Sequence, residues 1–339
     1  MFLNPSFRAQ LITRRTYNRP LDEEGTRFET WNQTTQRVAQ HQTWLWERAQ
    51  GRALSPEQQK EIQHLWNLLI LRQASVSGRT LWLGGTDIAK TRESSQFNCS
   101  FTPVQTVYDV VDGYWLLLQG CGVGFEPVPG VLSGFAKPVE IEVKRSLNKI
   151  RGLEYNVEQH YEEDGERVVV ITVGDSAESW AKAAGKLLAL KRPFDRLILD
   201  FSEVRKAGQR LRGYGWVSSG DETIHKAFVG IARILSARAG QLLNRIDILD
   251  VMNWLGTTLS SRRSAEIALV PWGDPEAETF ASAKKDWWVD NPQRAQSNNT
   301  LMFFDRPGHN ELSHIFGLMM DAGGSEPGFY NAQQAKVRA

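Results

Sequence analysis

The 339 residues carry 40 Lys and Arg against 39 Asp and Glu, so no global field draws the chain onto nucleic acid or an anionic membrane, and any phosphate binding must be local. A chain of this length buries a substantial core without covalent staples, and one large domain plus something smaller is expected. Two cysteines, Cys99 and Cys121, and 6 scattered histidines provide neither a disulfide framework nor zinc-ligand spacing, which suits the reducing cytosol.

The opening residues, MFLNPSFRAQLITRRTYNRP, lack the apolar stretch of a signal peptide, and apolar runs such as Trp66–Leu71 are too short to span a bilayer. The reading is a cytoplasmic protein without membrane or nucleic-acid partners. From Thr30 to Leu71 the spacing is helical, with Ser55 as an N-cap, Pro56 in the first turn and Glu57 supplying the acidic first turn. Several of the 12 tryptophans stand at helical spacing (Trp44, Trp46, Trp66) and read as packing aromatics rather than base-stacking platforms. Residues 1–75 are therefore expected to form a small helical domain, ended by SVSGR.

The texture then changes. RTLWLGGT (79–86) is an apolar segment of strand type closed by two glycines, and FNCSFTPV (97–104) is a second, with Cys99 inside it. VYDVVDGYWLLLQG (107–120) has helical periodicity and runs into a glycine turn, GCGVGFEPV (120–128). This alternation is that of an α/β domain. Residues from about 136 to 172 alternate charged and β-branched residues around an Asp164-Gly165 hairpin signal and are expected to form an inserted, solvent-facing β element. Asp175-Ser176 caps a helix over 177–190, and DRLILDF (195–201) is a strand of buried type. Helices follow over His225–Ala239 and Ile246–Leu255, then a loop at Ser260–Ser264, an amphipathic stretch at Leu312–Met320 and a turn, GGSEPGF.

Three places invite chemistry on residue type alone. A thiol on a rigid strand, as at Cys99, donates reducing equivalents at short range, although a small buried core cysteine reads the same way. The GCGVGF turn offers unobstructed backbone N–H groups to a phosphate, but it lacks the lysine of a Walker loop and follows a helix. SSRRSAEIAL (260–269) places two arginines in a serine-rich loop, where guanidinium groups hydrogen-bond bases or clamp phosphates, or form a solvated basic turn.

Nine segments in order, SGRTLWLGGTD, FNCSF, LLLQGCGVGF, VGDSAESW, LILDFSEVRKAG, YGWVSSG, SSRRSAEIAL, QSNNT and SEPGFYN, resemble the class II ribonucleotide reductases over residues 77–331, above all the monomeric ribonucleoside-triphosphate reductases. RRTYNR and ETWNQTTQRV extend a weaker match toward the N-terminus. The resemblance implies a ten-stranded α/β barrel, of which this chain supplies a helical lead-in and about the first half (76–339), with an inserted effector element at about 136–205 that imitates a second subunit. It implies that Cys99 is one of the two thiols that reduce the ribose. Thr80, Asn98 and Gly122 would line the phosphate and ribose pocket, Asp175 and Ser176 would help form an effector site, and Arg262 and Arg263 would lie between effector and substrate. Cys121 reads as a packing residue.

The implied reaction is conversion of ribonucleoside triphosphates to 2′-deoxyribonucleoside triphosphates, with adenosylcobalamin as cofactor. A deoxynucleoside triphosphate would act as effector and a dithiol such as thioredoxin as reductant. In the family the SEPGFYN-like segment is followed by an Asn-Pro-Cys finger loop bearing the radical cysteine, whereas these residues stop at Ala339. The expectation is the N-terminal part of a truncated, split or intein-interrupted enzyme, inactive alone, whose partner is the missing C-terminal part. The competing readings are a dimeric or glycyl-radical reductase of the same fold, a non-catalytic nucleotide-binding remnant, and a tryptophan-rich single-strand binder, the last disfavoured by the balanced charge.

Overall fold

The computed structural model describes residues 5–22, 25–146, 152–211, 217–259 and 266–338. The chain forms two compact units, Met1–Asn98 with Arg210–Trp216, and Cys99–Gln209 with Val217–Ala339.

The first unit is helical: α1 (Phe7–Thr16), α2 (Trp31–Gln50), α3 (Pro56–Ile70), α4 (Gly78–Leu83) and α5 (Asp87–Thr91), then a short 3-10 turn over Glu93–Gln96. Its starts are those the sequence announces. Thr30 and Gln33 close a capping box on α2, Ser55 and Gln58 close another on α3 with Pro56 at the first turn, and Gly51 ends α2 at a φ of 67°. Val38, Leu69 and Leu81 form its centre, with Tyr17, Trp31, Leu65 and Val76 packed around them. The unit runs past the boundary expected at residue 75. The reason is α4, where the strand-type reading of RTLWLGGT fails. Ser77 accepts a hydrogen bond from the Thr80 amide, and the Arg37 guanidinium takes the carbonyls of Leu81 (2.9 Å) and Gly84. Both helix ends are thereby satisfied locally, and no neighbouring strand is required.

The second unit holds two sheets. A five-stranded, wholly parallel sheet runs in the order β1 (Cys99–Val104), β2 (Gly122–Pro127), β7 (Glu266–Pro271), β8 (Ser297–Phe303), β9 (Gly328–Asn331). A four-stranded sheet runs in the order β3 (Glu140–Lys144), β6 (Arg196–Asp200), β5 (Glu166–Thr172), β4 (Val157–Glu163), with only the β4–β5 pair antiparallel. Helices α6 (Val107–Leu118), α7 (Ala177–Leu188), α8 (Asp221–Ala237) and α9 (Arg245–Gly256) share one continuous core with both sheets, centred on Tyr114, Phe125, Phe201, Phe228, Ile248 and Met252. Toward the C-terminus come α10 (Ala277–Ala281), α11 (Trp287–Asp290), α12 (His309–Ala322) and α13 (Ala332–Arg338).

Two expectations change here. Asp164 (φ 52°) and Gly165 (φ 83°) make the anticipated hairpin, but of its two strands only β4 faces solvent. Val168, Val169, Val170 and Ile171 of β5 are all buried, because β5 pairs on both edges and its two faces pack into two hydrophobic clusters. The glycine-rich GCGVGFEPV is mostly strand. The turn is confined to Gln119–Cys121, where Gly120 takes a φ of 77° and the Cys121 amide returns to the Leu116 carbonyl at 2.9 Å, and β2 then alternates with Val123, Phe125 and Pro127 inward.

Candidate active site

In a parallel sheet, residues in register share a face and successive residues alternate. Ser100, Val123, Glu266 and Ser297 stand in register across β1, β2, β7 and β8, and Val123, Glu266 and Ser297 are buried on the face that α6 and α9 cover. Cys99, Gly122, Ile267 and Asn298 are displaced by one residue and lie on the opposite face. There Cys99, Phe101, Ile267 and Asn298 are exposed. Cys99 is the first residue of β1 and its partner in register is Gly122, the first residue of β2. A thiol thus faces the open side of the sheet beside a backbone segment that carries no side chain.

The second cysteine goes the other way. Cys121 is fully buried, with its Sγ 3.6 Å from the Ser100 Oγ and 3.4 Å from the Gly122 carbonyl. The sheet separates the two sulfurs, so Cys121 packs under the helices.

Thr80 and Asn98 belong to the first unit. Thr80 sits in the first turn of α4, with its hydroxyl 2.9 Å from that of Ser77. The Asn98 Oδ1 accepts from Arg79 Nε at 3.1 Å, and Arg79 also donates to the Ser95 carbonyl at 3.1 Å. A buried arginine therefore fixes the amide immediately before Cys99 in the chain. Ser176 is the N-cap of α7, accepting from the Ser179 amide and donating to the Glu154 carbonyl at 2.7 Å. Asp175 is buried, and both of its oxygens lie 2.9 Å from Arg205 Nε, with the Gly152 amide at 3.3 Å. Its carboxylate ties the segment before β4 to the loop after β6.

Arg262 and Arg263 lie outside the described residues, but the residues on either side of that segment are described. On one side Thr258 is buried, with its Oγ1 3.1 Å from the Tyr114 hydroxyl, and its carbonyl accepts from Ser219 (2.8 Å) and Thr223 (3.2 Å). Burial pushes the Tyr114 hydroxyl well above the usual phenol range. On the other side Glu266, buried, accepts from Asn253 Nδ2 at 2.7 Å, and desolvation pushes its carboxyl up to about 8.

Glu266 is the residue that sequence reading missed. Behind it runs a chain of buried polar groups. Ser297 donates toward the Oδ1 atoms of Asn253 (3.2 Å) and Asn299 (2.9 Å), the Asn299 backbone N–H donates to Glu326 (2.9 Å), and Lys284 bridges Glu326 (3.0 Å) and the Ser297 carbonyl. The signal available was a carboxylate opening an apolar strand, EIALV, and the polar QSNNT at the start of another. Among the described residues no group of three or more His, Cys, Asp or Glu side chains could hold a metal ion, and no helix is long and apolar enough to cross a membrane.

Comparison with known proteins follows the same lines. Residues 5–86 match the family profile described as the ribonucleotide reductase alpha domain. An adenosylcobalamin-dependent ribonucleoside-triphosphate reductase of Lactobacillus acidophilus is 26% identical over 363 residues, covering 94% of this chain and 47% of the relative. The protein of the same description from Lactobacillus helveticus is 27% identical with the same coverage, and that from Lactobacillus leichmannii is 28% identical over 85% of this chain and 44% of its own. A crystal structure of a B-12 dependent (class II) ribonucleotide reductase superposes with a TM-score of 0.70 at 24% identity, over 86% of this chain and 45% of that one. The structural likeness establishes the α/β fold with its parallel sheet, and the resemblance read from the motifs is borne out. The chain spans about half the length of the curated relatives it matches.

Proposed function

We propose that this chain supplies the N-terminal, nucleotide-binding half of a reductase that converts ribonucleoside triphosphates to deoxyribonucleoside triphosphates. The observation that carries the reading is Cys99, an exposed thiol at the start of β1, in register with Gly122 on the open face of a parallel sheet. In the overall reaction the ribose loses its 2′ hydroxyl as water, two thiols lose two hydrogens, and the sulfurs join as a disulfide. Cys99 is one of those sulfurs. Its partner is a thiol in the half of the barrel that these residues do not supply, because Cys121 lies on the other side of the sheet.

The motif resemblance makes Thr80, Asn98 and Gly122 the residues proposed to meet the phosphates and ribose, and Arg79 holds the Asn98 amide in place. Arg262 and Arg263 couple a deoxynucleoside triphosphate effector to substrate choice, and Ser176 and Asp175 order the element at about 136–205 that holds the effector. Adenosylcobalamin enters from the relatives' chemistry. No contact to the cofactor is assigned and no step is derived through it. The site of action is the cytoplasm and the reductant a dithiol such as thioredoxin.

The test is completion. Residues 1–339 joined to, or mixed with, the C-terminal half of the Lactobacillus leichmannii relative are expected to release deoxynucleotide with adenosylcobalamin and a dithiol, and residues 1–339 alone to release none above a no-enzyme control. Cys99→Ser in the completed protein is expected to abolish multiple turnover while substrate affinity stays within about threefold, since the thiol supplies electrons rather than binding. Unchanged multiple turnover in that variant removes Cys99 from the reaction, and deoxynucleotide from residues 1–339 alone overturns the division of labour.

A further inference from the structure

Glu266 is 1% exposed and stands one strand away from Gly122 and one residue along, in register with Val123 and Ser297. One of its oxygens is held by Asn253 of α9, while the other, Oε1, has no hydrogen-bond partner among the described residues. Space for that oxygen is built in. A Cβ added at Gly256, one turn beyond Asn253, would come within 2.8 Å of it. Burying a carboxyl with one oxygen unpartnered costs free energy that an apolar side chain would not.

We propose that Glu266 is a positioning residue for the nucleotide-binding edge of the sheet, joining the amino-terminal ends of β7 and β8 to α9 through Asn253 and Ser297. The proposal rests on the reading of that edge given above. It adds the device that holds the edge in place. Asn253 faces both ways: its Nδ2 donates to Glu266 and its Oδ1 accepts from Ser297, so one amide sets the height of two strand ends against one helix. From Ser297 the chain continues through Asn299 to Glu326, just ahead of β9, and thus reaches three successive strands.

The anchor is a neutral acid. On α9, Arg245 pairs with Asp274 and Asp247 with Arg238, each at 2.7 Å. Asp250 of α9 pairs with Arg294 at 2.7 Å, and Lys284 pairs with Glu326 at 3.0 Å. Among the described residues no cation pairs with Glu266, and burial keeps its proton on until about pH 8. As pH rises from about 4.5 toward that value, the opened state, whose acid ionises first, is favoured progressively and the strand ends loosen.

Native-state amide exchange on residues 1–339 reads this directly. Protection factors at β7 and β8 in the unaltered chain are expected to fall about tenfold between about pH 7 and about pH 9, whereas those of Glu266→Gln, which keeps an acceptor for Asn253 and cannot ionise, stay within about twofold. Asn253→Ala, which leaves the acid in place but cuts the link, is expected to lower protection at both strands at every pH. Added ATP is expected to protect β1 and β2 in the unaltered chain and in Glu266→Gln, and about tenfold more weakly in Asn253→Ala. Protection that is flat with pH in the unaltered chain, or that falls equally in Glu266→Gln, overturns the proposal, as does full ATP protection in Asn253→Ala. Failure of the nucleotide reading looks different: ATP protects β1 and β2 in no variant, while the pH response at β7 and β8 still decides the role of Glu266.

Discussion

At the scale of single residues, the two cysteines and Glu266 mark what sequence reading reaches. Cys99 and Cys121 are 22 positions apart in the chain, one residue out of register across β1 and β2, and their side chains leave the sheet on opposite sides. That separation follows from alternation along a strand and was legible once FNCSF was read as one. Glu266 was not legible, because a carboxylate in a sequence reads as exposed until three dimensions show what covers it. Its effect on stability has a definite sign. With a folded value near 8 against a usual 4.5, the unfolded chain releases the proton first. Between those limits the folded state therefore binds more protons, and stability falls as pH rises. The contribution is complete below about pH 4.5 and lost progressively up to about pH 8. Glu266→Gln is expected to flatten this slope, its melting temperature gaining on the unaltered chain from about pH 5 to about pH 8. Parallel melting curves of the two proteins across that range would show that the acid is not buried in solution.

Among elements, the helices with explicit caps were the easiest to place. Ser55 and Pro56 begin α3 where the sequence says they should, while the helix read over Ile246–Leu255 starts one residue earlier, at Arg245, behind a capping box of Asn244 and Asp247 that the reading did not name. The six residues of α4 were the hardest, since their burial at Arg79, Leu81 and Leu83 mimics strand alternation, and the arginine that satisfies their carbonyls comes from α2. The segment between Thr258 and Glu266 belongs to this scale as well. Its two ends are held by separate buried polar groups, Tyr114 with Thr258 on one side and Asn253 with Glu266 on the other. Arg262→Ala or Arg263→Ala in the completed reductase is accordingly expected to weaken effector control of substrate choice by about 1–3 kcal/mol of coupling while leaving unregulated turnover nearly intact. Turnover ratios for two competing substrates, measured with and without effector, check this. Ratios equal to those of the unaltered protein in both variants would take the loop out of the coupling.

For the whole molecule, the α/β class and the order of its segments were readable in advance. The split into two sheets was not, because nothing local distinguishes a strand of β5 or β6 from one of β7 or β8: both pairs are apolar and parallel. What the sequence could not show either is that the five-stranded sheet ends in β1 and β9, each bonded along one edge only among the described residues. The opposed cysteines give this architecture a built-in clock. An alkylating reagent meets one sulfur at the surface and the other only when the second unit opens, so the first thiol labels at the rate of a small-molecule thiol and the second at the rate of unfolding. In a time course read by intact mass, one adduct is expected within minutes and a second much later, sooner as denaturant is added. Simultaneous labelling of both sulfurs under native conditions would contradict the burial of Cys121. The lag between the two adducts then measures how long the core stays shut, with no probe added to the protein.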